Sequence, residues 1–339
     1  MLDGKAIQHG GSLATARRMF PSAPEPWIDL STGINPHSYP LFDLPATAFS
    51  RLPEPTRIDD LAALAATVYG TPSARNVAAA PGTQILLPMI AALVPPGTAR
   101  VSAPTYAEHR RAAEIAGHVV EDVTDFDALA EADLAIVVNP NNPDGKVVTR
   151  DALLELAGHQ SRKGGMLVVD EAFMEVGPRQ ESVAGDVRLG SLVVLKSFGK
   201  FFGMAGLRLG FALAAEPVAT RLSARLGPWA VAGPALEVGL KALADTGWQE
   251  TMRQRLAAEA ARLDDLLDRS GLEIAGGTSL FRYVRHGRAG ALFETLGARG
   301  LLVRRFDFDA TVLRVGLPGS VEAWERLAAG LGAWQGAAS

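Results

Sequence analysis

Residues 192–210, LVVLKSFGKFFGMAGLRLG, are the stretch on which the interpretation of the whole chain depends. Four apolar residues predict a buried strand, which runs directly into Lys196, Ser197 and Lys200. Arg208 follows after a glycine-containing segment. In open α/β sheets, ligands bind beyond the carboxyl ends of the strands. The stretch therefore predicts amine, hydroxyl and guanidinium groups at the ligand-binding edge of such a sheet.

Short apolar runs alternate with helical patterns through the middle of the chain, and two further runs also end in polar residues. Residues 134–138 lead into the turn-forming segment 139–145, and residues 166–169 lead into Asp170 and Glu171. This alternation predicts an α/β sheet with helices on both faces. The predicted strands are 99–103, 134–138, 166–169, 192–195 and 209–213, and the predicted helices between them are 106–117 and 151–163.

After Pro234 the pattern changes to long helices over 235–270, followed by short strands and helices typical of an α+β domain. We expect strands at 280–284 and 312–315, and helices at 290–299 and 321–334. The predicted organisation is an N-terminal arm with part of a small domain (1–36), a large domain (37–233), and linking helices with the C-terminal small domain (234–339).

Composition excludes several classes of protein. With 339 residues, 48% hydrophobic and 21% charged, the chain can bury a sizeable core. The net charge of -4 provides no basic surface for nucleic acid or for an anionic membrane. The chain has no cysteine, so disulfides, thiolate metal sites and a cysteine nucleophile are excluded. The first residues carry no apolar run that could act as a secretory signal, so we expect a cytoplasmic protein.

Two further sequence features could be taken for a membrane span and a metal site, and we expect neither. The uncharged stretch 76–99 is long enough to cross a bilayer, but its prolines and glycines predict a turn, a short apolar helix and a second turn inside the core. The six histidines are scattered, and there is no H-E-x-x-H pair, so we expect no metal site.

Residues 197–210 resemble the lysine motif of the class I/II aminotransferase superfamily, whose members are pyridoxal-phosphate enzymes of fold type I. The segments NPNNPDG (139–145) and VDEAF (169–173) precede it in that family's order, and the resemblance covers essentially the whole chain. It implies a fold-type I transferase, in which helices enclose a mixed, mostly parallel sheet in a large domain and a small α+β domain is attached.

The resemblance also assigns roles around the cofactor, pyridoxal 5'-phosphate. Lys200 would form the Schiff base and then carry a proton, whereas Lys196 stands four residues too early and is expected to be structural. Asp170 would pair with the pyridine nitrogen and keep it protonated. Asn142 would donate a hydrogen bond to the phenolic oxygen and is also expected to contact the substrate, while Asn139 and Asn141 are expected to be turn residues.

The cofactor's phosphate would be held by Ser197, Arg208 and the turn Gly82-Thr83, because a glycine turn that opens a helix presents backbone N–H groups to an anion. Alone, these two residues would simply indicate a turn. Pro88 lies inside the helix that follows and predicts a kink or an early end. Tyr106 would stack on the pyridine ring; the alternative is an aromatic side chain packed in the core.

Arg314 corresponds to the small-domain arginine that holds the substrate carboxylate. The neighbouring Arg304 and Arg305 are expected to be surface or interface charges.

Two branches of the superfamily fit this chain: threonine-phosphate decarboxylases of cobalamin biosynthesis and histidinol-phosphate aminotransferases. The opening HGG (9–11), followed by INP (34–36), resembles the decarboxylases. It implies that His9 holds the substrate phosphate, unless the arm is flexible and this histidine is incidental. Gly33 and Ile34 would contact the carboxylate through their backbone.

The expected reaction is decarboxylation of L-threonine O-3-phosphate to (R)-1-aminopropan-2-yl phosphate. Transamination of the histidinol-phosphate type is the alternative. The resemblance also implies a homodimer, because fold-type I sites form at subunit interfaces.

The chain departs from the family pattern at three positions. Phe173 stands where many relatives have tyrosine, Gly199 where they have serine, and Leu52 where they have a tyrosine that reaches the neighbouring subunit. The resemblance implies that Phe173 removes a second hydrogen bond to the phenolic oxygen and that Gly199 removes one phosphate ligand. Leu52 removes the expected contact from the neighbouring subunit to the cofactor's phosphate.

Competing enzyme classes lack their motifs in this chain, since G-x-G-x-x-G, Walker A and G-x-S-x-G are all absent. A non-catalytic family member is disfavoured because Lys200, Asp170 and Arg208 are all present.

Overall fold

Helices and strands alternate along most of the chain in this computed structural model, which describes residues 9–336. The helices are α1 (Leu13–Met19), α2 (Thr47–Ser50), α3 (Pro55–Tyr69), α4 (Leu86–Ala91), α5 (Glu108–Ile115), α6 (Arg150–Lys163), α7 (Phe198–Phe201), α8 (Glu216–Leu226), α9 (Gly233–Ala244), α10 (Thr246–Arg269), α11 (Ala289–Gly297) and α12 (Val321–Gly336). The strands are β1 (Ile28–Asp29), β2 (Val77–Ala80), β3 (Thr98–Ser102), β4 (Val119–Val123), β5 (Leu134–Val138), β6 (Met166–Asp170), β7 (Leu192–Ser197), β8 (Gly210–Ala214), β9 (Glu273–Thr278), β10 (Phe281–Arg285), β11 (Leu301–Leu302), β12 (Arg304–Phe306) and β13 (Asp309–Gly316).

The chain divides into two compact units. The larger comprises Ser38–Asn142 and Lys146–Glu250, and the smaller comprises the described residues up to His37, Pro143–Gly145 and the described residues from Thr251 onward. The domain boundaries predicted from the sequence stay predictions. Within residues 9–336, no helix is long and apolar enough to cross a membrane.

A seven-stranded sheet in the order β2-β8-β7-β6-β5-β3-β4 forms the centre of the larger unit. Strands β3 to β7 pair in parallel, while β8 pairs antiparallel with β7 and with β2. Every residue of β5, β6 and β8 is buried, as expected for strands covered on both faces. The predicted mixed, mostly parallel sheet is confirmed.

The register of the parallel strands brings their carboxyl ends to one edge of the sheet. Val138 of β5 pairs with Asp170 of β6, and Asp170 pairs with Leu195 of β7. The polar segments that follow these three strands therefore start side by side.

Helix α6 shows how local sequence sets the ends of an element. The Thr149 hydroxyl oxygen accepts a hydrogen bond from the Ala152 N–H at 3.4 Å, and Gly164 ends the helix with a left-handed φ of 76°. Leu153, Leu156 and Ala157 form its buried stripe. This helix matches the predicted 151–163 to within one residue.

All five strands predicted for the large sheet are present, but β2 and β4 were not predicted. Strand β2 lies in the uncharged stretch 76–99, where we expected only a turn, a helix and a turn; that prediction was incomplete. Strand β4 is at the sheet edge and mostly exposed, so it lacks an apolar run. Edge strands carry a weaker hydrophobic signal because only part of their surface is covered.

Helix α4 is six residues long and ends at Ala91, consistent with the expected early end near Pro88. Pro88 is its third residue, within the first turn, where a missing N–H removes no intrahelical hydrogen bond.

Lys196 is a structural residue, as the sequence analysis expected. Its Nζ lies 2.7 Å from a Glu171 carboxylate oxygen and 3.2 Å from one of Glu175, and all three side chains are buried. Burial alone would lower the pKa of Lys196, but the two carboxylates raise it above its usual value. Because successive residues of a strand point to opposite faces, this cluster occupies the side of β7 away from Ser197.

In the smaller unit, a four-stranded antiparallel sheet has the order β12-β13-β10-β9, and β1 pairs in parallel with β11. Residues Arg304, Arg314, Tyr283 and Gly276 form one cross-strand row. The predicted strands at 280–284 and 312–315 and the predicted helices at 290–299 and 321–334 are all confirmed.

Candidate active site

One cavity of about 150 Å³ in the larger unit is lined by every residue predicted to hold the cofactor. These residues come from six separate segments: Gly82, Thr83, Tyr106, Asn142, Asp170, Ser197, Lys200 and Arg208. The structure thus brings them together, while their individual roles stay predictions.

Lys200 lies on α7, the short helix that follows β7 directly. Its Nζ is 5.7 Å from the centre of the Phe173 ring. An aromatic cluster packs around this helix: Phe198 and Phe202 stack at 4.3 Å, and Trp248 stacks on Phe202 at 5.6 Å. Phe198, Phe201 and Phe202 are all buried, so the short helix that carries Lys200 is anchored by aromatic packing.

Asp170 contacts His109, a histidine that was not predicted as a site residue. The His109 Nε2 lies 2.9 Å from Asp170 Oδ2, and both side chains are buried. The other carboxylate oxygen of Asp170 accepts a hydrogen bond from the Ala172 N–H at 3.0 Å. His109 was missed because a histidine without ligand spacing carries little signal. Its position three residues after Tyr106, in the first turn of α5, was the available clue.

Tyr106 is the aromatic side chain of the cavity, and its hydroxyl donates to Gln84 Oε1 at 3.1 Å. The Gln84 amide in turn donates to Glu108 at 2.9 Å. Burial raises the pKa of Tyr106 to about 12, with Glu108 and Asp170 adding to the effect. The hydroxyl therefore stays protonated at neutral pH. Gln84, which also lines the cavity, was not predicted as a site residue.

Two glycines leave room for an anion site beside Arg208. A Cβ on Gly82 would lie 2.7 Å from Arg208 Nη2, and a Cβ on Gly210 would lie 2.8 Å from the Thr83 backbone nitrogen. Arg208 itself has a left-handed φ of 55°, which is uncommon for a residue with a side chain and often marks functional sites. Because Gly82 and Gly210 have no side chains, the Arg208 guanidinium and the Thr83 backbone can both lie close to these glycines.

Gly199 is one of the departures from the family pattern, and the structure gives a physical reason for it. A Cβ at this position would lie 2.7 Å from the Cα of Ala205, so a serine would require the backbone of that turn to move.

Asn139 and Asn141 are structural, as expected. Asn139 exchanges two hydrogen bonds with the backbone of Val148, at 3.0 and 2.9 Å. The Asn141 side chain donates to the Pro104 carbonyl at 3.0 Å and accepts from the Thr105 hydroxyl at 2.7 Å. Together they hold both ends of the loop that carries Asn142.

The remaining predicted substrate residues, His9, Gly33, Ile34 and Arg314, belong to the smaller unit. Arg314 is buried and donates to the Ser31 carbonyl at 2.7 Å. The Ser31 hydroxyl accepts a hydrogen bond from the Gly11 N–H at 2.7 Å. Ser31 therefore links the start of the described chain to Arg314.

The other predicted residues flank this point along the chain. His9 is exposed, two residues before Gly11, while Gly33 is buried and Ile34 half-buried just after Ser31.

Arg304 and Arg305, the two neighbouring arginines of β12, differ in their surroundings. Arg305 is exposed, but Arg304 is half-buried and pairs with Arg314 across β12 and β13. Burial lowers the pKa of Arg314 to about 10, with Arg304 adding to the effect and Asp29 opposing it. Burial also lowers the pKa of Arg304, with Asp307 opposing the effect and Arg305 adding to it. Two neighbouring cations of this kind favour an anionic ligand.

Comparison with known proteins agrees with this geometry. Residues 46–331 match the family described as aminotransferase class I and II. The chain belongs to this family. The resemblance stated from the sequence is therefore confirmed, and so is the fold class.

Two curated relatives match this chain over nearly its whole length. A threonine-phosphate decarboxylase from Sinorhizobium sp is 45% identical over 325 residues, covering 95% of this chain and 96% of the relative. A threonine-phosphate decarboxylase from Pseudomonas aeruginosa is 42% identical over 328 residues, covering 96% and 97%.

A solved structure, the histidinol-phosphate aminotransferase from Sinorhizobium meliloti in complex with pyridoxal-5'-phosphate, superposes with a TM-score of 0.76. It is 23% identical and covers 87% of this chain and 85% of its own. At this identity, the likeness supports the fold.

The contact between His109 and Asp170 yields a prediction on stability. The substitution His109→Phe keeps an aromatic ring but removes the nitrogen that faces the buried carboxylate. We expect it to lower the free energy of unfolding by about 1–3 kcal/mol. Urea unfolding of the cofactor-free protein measures this. The same change at the exposed His159 is the control, and equal losses in the two variants would contradict the role of the contact.

Proposed function

We propose that this chain is a pyridoxal-phosphate-dependent decarboxylase of L-threonine O-3-phosphate, which forms (R)-1-aminopropan-2-yl phosphate for the aminopropanol arm of cobalamin biosynthesis. The observation that carries the proposal is the identity of 45% and 42%, over nearly full length, with two relatives named threonine-phosphate decarboxylase. The likeness to the aminotransferase compared above, at 23% identity, supports the fold of this chain but gives no support for transamination.

The cavity in the larger unit fits the cofactor by the chemistry of its donors. An amine, a guanidinium, a hydroxyl and a backbone N–H suit an aldehyde and a phosphate, and Asp170 suits a pyridine nitrogen. Gly82 and Gly210 keep this space open, because any other residue type at either position would place a side chain in it. Lys200 would attach the cofactor, and Ser197, Arg208 and Thr83 would hold its phosphate.

When bound, pyridoxal phosphate draws electrons from the bonds of the substrate's α-carbon. The chain's part is to set proton positions around it. Asp170, oriented by His109, would hold a proton at the pyridine nitrogen. Asn142 would donate to the phenolic oxygen, and the Tyr106 ring would lie against the pyridine face with its hydroxyl held by Gln84.

Lys200 has a second proposed role in proton transfer. After CO2 leaves, its Nζ would return a proton to the α-carbon. The aromatic packing of α7 supports this role, because a general acid must be held within reach of one atom.

The paired guanidiniums in the smaller unit support a substrate with two anionic groups. In the proposal, Arg314 and the backbone of Gly33 and Ile34 bind the carboxylate. Arg304 and His9 bind the phosphate.

A homodimer and a cytoplasmic location are further parts of the proposal. The larger unit exposes several large apolar side chains: Phe49 at 70%, Leu52 at 63% and Trp229 at 53%. Apolar side chains that join into one exposed patch mark surfaces that bind other proteins, and the proposal places these three in the dimer interface. The cysteine-free chain has no need of an oxidising compartment.

The reaction is tested by offering O-phospho-L-threonine to the cofactor-loaded enzyme. We expect release of CO2 and of the amino alcohol phosphate, without a keto acid. The Lys200→Ala variant should lose the yellow colour and the borohydride-stable cofactor adduct, whereas Lys241→Ala, at an exposed lysine, should keep both. Turnover of histidinol phosphate to a keto product instead would establish the aminotransferase alternative.

The role of Arg304 is tested by comparing Arg304→Met with Arg305→Met. Loss of a charge-assisted hydrogen bond to the substrate phosphate should raise KM about 10- to 100-fold in the first variant. The second should change KM little, because Arg305 is exposed. Steady-state CO2 release provides the measurement, and equal KM values in the two variants would rule out this role.

The assembly is tested by sedimentation equilibrium at micromolar concentration. We expect about twice the chain mass of 35.7 kDa. A mass equal to that of one chain would contradict the homodimer.

A further inference from the structure

The loop that carries Asn142 has its tip, Pro143–Gly145, packed in the smaller unit against two consecutive glycines of β9. A Cβ on Gly276 would overlap the carbonyl oxygen of Asp144, and a Cβ on Gly145 would overlap the carbonyl oxygen of Gly277. The two backbones are therefore in direct contact. We call Gly276 and Gly277 the glycine seat.

The backbone of the glycine seat is also one that other residues rarely adopt. Gly276 has a φ of 154° and Gly277 one of 146°. Both lie inside β9, where glycine weakens a strand and commonly marks the close approach of another backbone. Here the approaching backbone is the loop tip.

Asn142 is held between two fixed points. On one side the loop is closed by a hydrogen bond from the Asn141 N–H to the Lys146 carbonyl at 2.8 Å. On the other side Pro143 and Asp144 are buried at the seat. A residue flanked in this way keeps little backbone freedom, because the chain is held on both sides of it.

The seat belongs to the same sheet as the proposed substrate arginines. Gly276 is in register with Tyr283 on β10, and Tyr283 is in register with Arg314 on β13. Asp144 also lies close enough to Tyr283 to contribute to raising the pKa of that hydroxyl, though less than burial and Asp309 do. The sheet that carries Arg314 is therefore also the sheet that contacts the loop tip, Pro143–Gly145.

We propose that the glycine seat positions Asn142, by holding the tip of its loop, so that its amide reaches the cofactor's phenolic oxygen. Gly276, Gly277 and Gly145 are positioning residues in this arrangement. The inference rests on the proposed function, since it concerns the bound cofactor, but part of its test uses the cofactor-free protein.

The first test is hydrogen exchange of the cofactor-free protein with the substitution Gly276→Ala. Its Cβ should displace the Asp144 carbonyl and speed exchange of the Asn141 and Val148 amides, which are bonded within the loop. Gly287→Ala is the control, because that glycine lies in the smaller unit with nothing within 4 Å of a Cβ and without a positive φ. Equal exchange of these two amides in both variants would overturn the inference.

The second test follows the pH midpoint of the visible absorption band of the loaded protein. An amide that donates to the phenolate favours the deprotonated form, so losing it raises the midpoint. Asn142→Ala defines the full shift, and Gly276→Ala should give at least half of it. A midpoint like that of Gly287→Ala would overturn the inference.

Gly145→Ala provides a second variant from the loop side, in case Gly276→Ala does not fold. It should reproduce both effects, and the double variant should add little, because both changes release the same contact. A wild-type protein that binds no pyridoxal phosphate would defeat the proposed function. If the wild-type protein shows a normal absorption band and the glycine variants keep its pH midpoint, only the inference about the glycine seat is overturned.

Discussion

The parallel pairing of β5, β6 and β7 is the constraint on which the site depends. Their register aligns Val138, Asp170 and Leu195, so the segments that leave these strands emerge at one edge. Asn142, Asp170 and Lys200 are far apart in sequence and line one cavity for this reason. A shift of one residue in the pairing would turn Asp170 to the opposite face of the sheet, because side chains alternate along a strand.

The same alternation separates two sets of charges. Asp170 faces the cavity and contacts His109, whereas Glu171 faces the other way and binds Lys196 at 2.7 Å. A buried carboxylate without a partner is costly, so each of the two acidic residues needs its own basic neighbour. Adjacent acidic residues at the end of one strand thus serve different purposes.

In the smaller unit, electrostatics and backbone packing share one sheet. Arg304 and Arg314 stand side by side on paired strands, where burial lowers the pKa of both guanidiniums. At the other edge of the same sheet, Gly276 and Gly277 receive the tip of the Asn142 loop. One sheet of the smaller unit therefore carries both the arginine pair and the glycine seat.

The sequence by itself determined the fold class, five of the seven strands of the large sheet and the predicted cofactor residues that line the cavity, because buried apolar runs and ordered polar motifs are local signals. It did not show β4, whose exposed edge position removes the apolar pattern, nor His109, Gln84 and Arg304, whose surroundings are built by distant segments. Only tertiary structure decides which charge is buried beside which, since partners such as His109 and Asp170 are 61 residues apart along the chain. It likewise decides where glycine is required, because the need comes from another backbone approaching in space.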